Sequence, residues 1–178
     1  TKTFTLKALD GYQMPWFFAG QHISVKFCID GKWLTRPFSV SSSPKEADEG
    51  KLQITLRKKD GGYVTSWVWD NWKEGTEVKF DGAFGDGYFN ALRDTAHVVG
   101  IAGGSGITAF RSIAKDMAKT HRPEKFTILY GSRTSDGILL KDEIEALAAK
   151  SNGKVKVVHI LSEEEKEGFE HGFINAEL

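Results

Sequence analysis

Short runs of alternating apolar and polar residues characterise the first half of the chain. These runs are TFTLKAL (3–9), HISVKFCID (22–30), WLTRPFSV (33–40), KLQITLRKK (51–59) and EVKFDGAF (77–84). Alternation with a period of two places successive side chains on opposite faces of a β-strand. Turn signals such as Asp-Gly separate the runs. The pattern therefore predicts a Greek-key or barrel-like antiparallel domain.

One segment of this half has a helical period instead. Within GGYVTSWVWDNW (61–72) the spacing of four residues predicts a single short helix, and these residues are Val64, Trp67, Val68 and Asn71. The residues from Ser43 to Gly50 show neither period, so we expect a loop there.

The second half changes to apolar runs that do not alternate, typical of strands buried in a parallel sheet. These are AHVVGIA (96–102), KFTILYG (125–131) and KVKVVHILS (154–162). Between them lie two helical segments. The first carries an apolar stripe that includes Ile107 and Phe110 and is expected to stop at Pro123, and the second is LLKDEIEALAAK (139–150).

The order strand–helix–strand–helix–strand predicts a doubly wound parallel sheet with helices on both faces. We therefore expect two domains: an antiparallel barrel over residues 1–92 and an α/β domain over residues 93–178.

Composition narrows the classes of partner. Lys and Arg together balance Asp and Glu at 24 each and are scattered, so neither a nucleic-acid nor an anionic-membrane surface is predicted. No apolar run approaches the roughly 20 residues that span a bilayer, and no signal peptide opens the chain. The single cysteine, Cys28, excludes an internal disulfide framework and a four-cysteine iron–sulfur cluster within these residues. The five histidines lack metal-ligand spacing, and we expect a soluble, cytoplasmic protein without a metal site.

The glycine-rich stretch IAGGSGITAFRSI (101–113) runs from a predicted strand into a predicted helix. Its residues 104–109 fit the dinucleotide fingerprint G-x-G-x-x-A, in which backbone N–H groups at a helix N-terminus bind phosphate. The acidic residue that this fingerprint places after the next strand is missing, because that strand is followed by Ser132 and Arg133. From the residues alone, a nucleotide loop and a loop that serves only packing both remain open.

A third interpretation is the nucleophile elbow G-x-S-x-G of serine hydrolases, with Ser105 as nucleophile and with Asp136 and His159 following in order. Ile107 stands where the elbow requires a second glycine, which disfavours this interpretation.

The stretch RPFSVSSSP (36–44) suits a flavin. A guanidinium, an aromatic ring and a hydroxyl occur close together in one predicted strand at Arg36, Phe38 and Ser39. Alternation places Arg36 and Phe38 on one face and Ser39 on the other. The alternative is an ordinary barrel strand with one exposed arginine.

Five motifs in register resemble the ferredoxin–NADP reductase superfamily, which has a flavin barrel followed by a pyridine-nucleotide domain. RPFS resembles its R-x-Y-S motif, with Phe38 for tyrosine, and GGYVTS resembles its G-x-V-S segment, with Thr65 for serine. GAFGD (82–86) is similar to its G-P-F-G, and AGGSGITAF is similar to its G-G-x-G-I-T-P. LYGSRTSDGILLKDEIEAL (129–147) is similar to the strand and helix that come next.

The resemblance implies a role for particular residues. The flavin ring and neighbouring phosphate would be bound by Arg36, Pro37, Phe38 and Ser39, with Ser39 next to the reactive ring nitrogen as the catalytic candidate. The flavin phosphate and dinucleotide would be bound by Gly62, Val64, Thr65, Thr55, Leu56 and Arg57. The nicotinamide dinucleotide would be bound by Gly104, Ser105, Gly106, Ile107 and Thr108, and its ribose by Ser132, Arg133 and Ser162.

The resemblance also implies an activity: NADH or NADPH passes hydride to FAD, and electrons continue to an acceptor such as a ferredoxin, an oxygenase component or a haem component. FAD is preferred to FMN on the resemblance alone. Ser162 is followed by Glu163, Glu164 and Glu165, a row of carboxylates that would repel a 2′-phosphate, so we expect NADH to be preferred. Two alternatives are an electron-transfer module of a larger complex without independent activity, and a binding module without cofactor.

Two features depart from the superfamily pattern. Phe38 in place of tyrosine removes a hydroxyl hydrogen bond to the flavin, a change of about 1 kcal/mol. The closing C-G-P motif and terminal aromatic residue do not occur in this sequence, which starts within the first barrel strands. The resemblance therefore implies a chain cut at both ends, to which an iron–sulfur or partner domain would be added.

Overall fold

The computed structural model describes residues 1–120 and 124–175. The chain divides into two compact units, Thr1–Tyr88 and Phe89–Leu178, and each unit has its own hydrophobic core. Among the described residues, no helix is long and apolar enough to cross a membrane.

The first unit is built from antiparallel strands, as predicted. A two-stranded sheet pairs β1 (Lys2–Leu6) with β4 (Leu52–Leu56). A three-stranded sheet has β2 (His22–Ile29) at its centre, between β3 (Lys32–Ser39) and β5 (Lys79–Phe84).

Strict alternation in β2 explains how this unit forms its core. Ile23, Val25, Phe27 and Ile29 all lie on one face of the strand and are buried against residues that include Phe17. Burying a side chain of this size contributes about 1.5–3 kcal/mol. A register slip of one residue would expose the whole set, so the sequence pattern specifies the register.

Two helices interrupt the strands of this unit. The helix α2 (Tyr63–Asn71) confirms the predicted helix and buries Val64 and Val68. The expectation of a loop between Ser43 and Gly50 is wrong, because α1 (Pro44–Asp48) forms there. This helix of five residues depends on a capping box rather than on an apolar stripe. The Glu46 N–H donates to the Ser43 hydroxyl oxygen at 3.3 Å, and the Ser43 N–H donates to the Glu46 carboxylate at 2.8 Å.

The second unit is a parallel sheet in the order β6-β7-β8-β9. Its elements are β6 (His97–Gly103), α3 (Ile107–Lys119), β7 (Lys125–Ser132), α4 (Lys141–Lys150), β8 (Val155–Leu161) and the two-residue β9 (Glu170–His171). Antiparallel sheets followed by a parallel sheet with helices confirm the predicted fold class. Strand β9 was not predicted. Pro123, expected to end the first helix of this unit, lies outside the described residues, and α3 ends at Lys119.

Strand order decides where the helices of this unit lie. Because β6, β7 and β8 are neighbours in chain order, two right-handed crossovers bring α3 and α4 to the same face of the sheet. Arg111 on α3 donates to Glu143 on α4 at 2.9 Å, which joins the two helices directly. A helix on the opposite face, expected from the sequence, does not occur among residues 1–120 and 124–175, and Val99 and Ile101 of β6 are exposed.

Candidate functional site

The predicted flavin contacts Arg36, Phe38 and Ser39 lie in the second half of β3. Arg36 is exposed, and its Nη1 donates to the carbonyl of Thr35 in its own strand at 2.8 Å. Phe38 is half-buried and packs edge-on against Phe27, with ring centroids 6.2 Å apart. Ser39 is half-buried and faces His22 across the sheet.

The Thr55 hydroxyl is engaged inside the first unit. It lies 2.9 Å from the hydroxyl oxygens of both Thr3 and Ser41. Leu56 is buried as well, whereas Arg57 is exposed. Of these three predicted contact residues, Arg57 is the one with an exposed side chain.

The N-terminus of α2 begins at Gly62 without a side-chain cap. The N–H groups of a first helical turn have no partner within the helix, and they carry the positive end of the helix dipole. A Cβ on Gly62 would lie 2.5 Å from the Thr65 hydroxyl oxygen and 2.9 Å from the carbonyl oxygen of Lys59, so this position requires glycine. The Lys59 N–H donates to the Thr65 hydroxyl at 3.2 Å, which folds the preceding loop tightly onto the helix start.

The glycine loop of the second unit connects β6 to α3 through a 3₁₀ turn, Gly104–Gly106. Gly106 is the N-cap of α3 and provides no side-chain cap. A Cβ on Gly103 or Gly106 would meet no atom within 4 Å. Neither glycine is therefore required by packing, and the space beside the backbone is open to a close approach by a ligand.

Gly100, just upstream of this loop, is a glycine that packing does require. A Cβ there would lie 2.8 Å from atoms of Phe110 and Phe126, so this residue is needed where helix and sheet pack. Packing explains Gly100, but it does not explain Gly103 or Gly106.

Two side chains of the loop face inward. Ile107 is completely buried in the core of the second unit. The Thr108 hydroxyl donates to the carbonyl of Ser105 at 2.9 Å and thereby fixes the turn. The loop thus presents backbone groups of residues 104–106 rather than the side chains that follow them.

The ends of β7 and β8 extend side by side beyond the sheet. The Ser162 N–H donates to the carbonyl of Ser132 at 3.0 Å, and the Glu163 N–H donates to the carbonyl of Arg133 at 2.9 Å. The Arg133 side chain donates to the Glu163 carboxylate at 2.6 Å. This hydrogen bond lowers the pKa of Glu163 and raises that of Arg133.

Glu164 joins the same two loops at a second point. Its carboxylate accepts from the backbone N–H of Ser135 at 2.6 Å and from the Ser135 hydroxyl at 3.0 Å. These bonds, the backbone one first, lower the pKa of Glu164. Glu163 and Glu164 therefore hold the strand ends together, where the sequence suggested only a row of carboxylates.

Glu164→Gln is expected to remove a pH-dependent part of the stability. Because folding lowers the pKa of Glu164 from 4.5, its contribution is complete above that value and is lost as the pH falls through the lowered pKa. Thermal unfolding followed across the acidic range should show wild type and variant differing at neutral pH and converging in acid. Glu165→Gln serves as control, since Glu165 is exposed and lies 3.8 Å from the Nε2 atom of His171, beyond hydrogen-bond distance. If the difference in stability between Glu164→Gln and wild type stayed constant across this pH range, the result would contradict this role.

The histidine that a hydrolase would require is engaged elsewhere. His159 lies between the rings of Tyr130 and Phe169, and its Nε2 is 3.3 Å from the Glu145 carboxylate. Burial lowers the pKa of His159. Its side chain is only 8% exposed, which does not suit a general base that must reach a substrate.

Two domain families match the chain in the order that the units follow. The description "Oxidoreductase FAD-binding domain" matches residues 1–89, and "Oxidoreductase NAD-binding domain" matches residues 101–178. The chain belongs to the ferredoxin–NADP reductase superfamily.

Two curated proteins that are similar to this chain carry names of reductases. The chain is 32% identical over 157 residues to "NADH-cytochrome b5 reductase 1" of Cryptococcus neoformans var. neoformans, covering 88% of this chain and 51% of that protein. It is 32% identical over 135 residues to "Glycine betaine monooxygenase reductase subunit" of Pseudomonas aeruginosa, covering 75% of this chain and 36% of that protein. The chain thus spans about half the length, or less, of these two relatives.

Solved structures show the same fold. The FAD/NAD-binding domain of nitric oxide dioxygenase from Vibrio cholerae O1 biovar El Tor has a TM-score of 0.81 at 22% identity, and the match covers 99% of this chain and 74% of that one. The cytochrome b5 reductase domain of Ulva prolifera nitrate reductase has a TM-score of 0.80 at 19% identity, covering 98% of this chain and 73% of that one.

The predicted site residues lie in both units. Those of the first unit lie along β3, at the end of β4 and at the start of α2, and those of the second unit lie at the glycine loop and at the ends of β7 and β8. Sequence reasoning gave no role to Tyr130 and described Glu164 only as part of an acidic run. The partners of these residues, Ser135, Gly104 and Leu139, are distant along the chain.

Proposed function

We propose that this chain binds FAD through its first unit and NADH through its second, and that it delivers the electrons to a protein acceptor. In this proposal residues 1–92 form the flavin domain and residues 93–178 form the nucleotide domain. The open space beside Gly103 and Gly106, at an N-terminus of α3 that lacks a side-chain cap, carries the proposal.

The first unit fits a flavin dinucleotide. Its exposed Arg36 and Arg57 offer positive charge, and the uncapped first turn of α2 offers N–H groups to phosphate. The residues that would hold FAD are Arg36, Pro37, Phe38, Ser39, Arg57, Gly62, Val64 and Thr65, with main-chain contacts from Thr55 and Leu56. Ser39 would lie at the reacting ring and donate a hydrogen bond to its nitrogen.

The second unit fits a nicotinamide dinucleotide. The residues that would cradle its pyrophosphate and nicotinamide side are Gly104, Ser105, Gly106, Ile107 and Thr108, and those that would meet the ribose are Ser132, Arg133 and Ser162. Because Ile107 is buried and Thr108 braces the turn, this binding is carried by backbone N–H groups. When bound, the two cofactors supply hydride transfer and onward electron release, and the protein orients them and keeps water out.

We infer a preference for NADH over NADPH. An arginine near the ribose commonly binds a 2′-phosphate, and Arg133 is the candidate here. Its guanidinium is already paired with Glu163 at 2.6 Å, so a phosphate would have to displace one carboxylate and would be repelled by its neighbours.

The names of the relatives support a protein acceptor, because they refer to cytochrome b5 and to a monooxygenase. We propose a haem protein or an oxygenase component as the acceptor of this chain. A cytoplasmic location belongs to the proposal, since its electron donor NADH is an intracellular metabolite.

Anaerobic titration of the purified chain tests the proposal. Yellow protein that carries FAD should be bleached by NADH, faster than by NADPH, and should then reduce an artificial acceptor. Colourless protein that takes up neither FAD nor FMN would refute it and favour a binding module without cofactor. Protein that binds FAD and NAD⁺ but is not bleached would favour a module that works only within a larger assembly.

A further inference from the structure

Tyr130 lies near the C-terminal end of β7 and is completely buried, with its hydroxyl group at the base of the glycine loop. The one hydroxyl hydrogen is shared between the carbonyl oxygen of Gly104, at 3.0 Å, and that of Leu139, at 3.2 Å. The hydroxyl oxygen accepts from the Leu139 N–H at 3.1 Å. One phenol therefore ties the glycine loop to the turn that precedes α4.

The bond to Gly104 determines the direction of the next N–H group. The peptide that joins Gly104 to Ser105 is trans, and in a trans peptide the C=O and N–H groups point in opposite directions. Since the Gly104 carbonyl faces the buried Tyr130 hydroxyl, the Ser105 N–H points away from the interior of the unit.

Thr108 does the same for the following peptide. Its hydroxyl holds the Ser105 carbonyl at 2.9 Å, so the Gly106 N–H also points away from that bond. Two consecutive N–H groups are thus oriented by side chains placed behind the loop. Gly103 and Gly104, which precede these two peptides, restrict their own backbone torsions little. The orientation of the peptides therefore depends on the side-chain hydrogen bonds.

We propose that Tyr130 is a positioning residue for the nicotinamide dinucleotide, acting through the Gly104–Ser105 peptide. Its hydroxyl keeps the Ser105 N–H directed at the pyrophosphate. This role rests on the proposed function. The ring of Tyr130 packs in the core in any case, so the hydroxyl alone carries the effect on binding.

Tyr130→Phe removes the hydroxyl and keeps the ring, which separates positioning from packing. The FAD-loaded chain should keep its visible spectrum. Its KM for NADH and its Kd for NAD⁺ should rise about tenfold, as expected for one lost hydrogen bond, while kcat stays within about twofold. Tyr12→Phe is the matched control, because Tyr12 is 75% exposed and belongs to no proposed site.

An unchanged KM and Kd in Tyr130→Phe, or a loss confined to kcat, would overturn this role. If the wild-type chain binds no NAD⁺, the proposed function itself is wrong. Binding of NAD⁺ to the wild type is therefore measured before any variant is made. If Tyr130→Phe does not fold, ¹⁵N-labelled wild type decides the question during titration with ADP. The Ser105 and Gly106 amide resonances should then be among the most shifted, and unshifted resonances would overturn the role.

Discussion

Gly106→Val is expected to raise the KM for NADH by about 100-fold, because the new methyl groups would occupy the space through which a phosphate approaches two N–H donors. The fold should tolerate the change. Gly106 has φ −59° and ψ −21°, which any residue adopts, and a Cβ there meets no atom within 4 Å. Steady-state kinetics with NADH and thermal unfolding, both on the FAD-loaded chain, measure the two effects.

Gly100→Ala is the matched control, for which we expect lower stability and unchanged binding of NADH. Its Cβ would press against Phe110 and Phe126 at 2.8 Å, so we expect a loss of about 1–3 kcal/mol in the free energy of unfolding. Its KM for NADH should remain within about threefold of wild type, as Gly100 lies outside the loop. If Gly106→Val bound NADH as well as wild type does, the glycine loop would not be the nucleotide cradle.

Glu163→Gln is expected to raise kcat/KM for NADPH by about 10- to 100-fold, the range for one charge-assisted hydrogen bond gained by the 2′-phosphate. The physical reason is that the variant releases the Arg133 guanidinium from its carboxylate partner 2.6 Å away. The value for NADH, which has no 2′-phosphate, should change by less than about threefold. Initial rates with both nucleotides give the ratio directly.

Arg133→Gln in the Glu163→Gln background provides the control for this prediction. If the gain comes from the released guanidinium, the double variant should lose it, as a double-mutant cycle requires. Glu165→Gln, a more distant member of the same acidic run, should change neither rate. A gain with NADPH that survives in the double variant would show that general repulsion by the run, and not the ion pair, sets the preference.

Periodicity predicted the elements whose side chains meet the core in a regular order. Alternation identified β2 because Ile23, Val25 and Phe27 all face the core, and helical spacing identified α2 through Val64 and Val68. Elements that are stabilised in other ways were not predicted from periodicity. The helix α1 depends on reciprocal bonds between Ser43 and Glu46, and β9 is too short to show any period.

Motifs predicted the candidate site as far as it is local in sequence. The glycine loop and the start of α2 are continuous segments, so their backbone N–H groups are readable from glycine positions alone. Pairings across loops are not readable in this way. The bonds from Arg133 to Glu163 and from Ser135 to Glu164 join residues about thirty positions apart.

The sequence by itself determined the two kinds of sheet, their order and the positions of the glycine-rich segments, because period, turn residues and glycine spacing act over a few neighbouring residues. Only the tertiary structure decided how the proposed binding loops are held. Parallel pairing of β7 with β8 brings Arg133 beside Glu163, and the packing of β7 against the glycine loop brings the Tyr130 hydroxyl to Gly104. These contacts depend on strand register and on which face of the sheet is buried, and residues distant along the chain settle both.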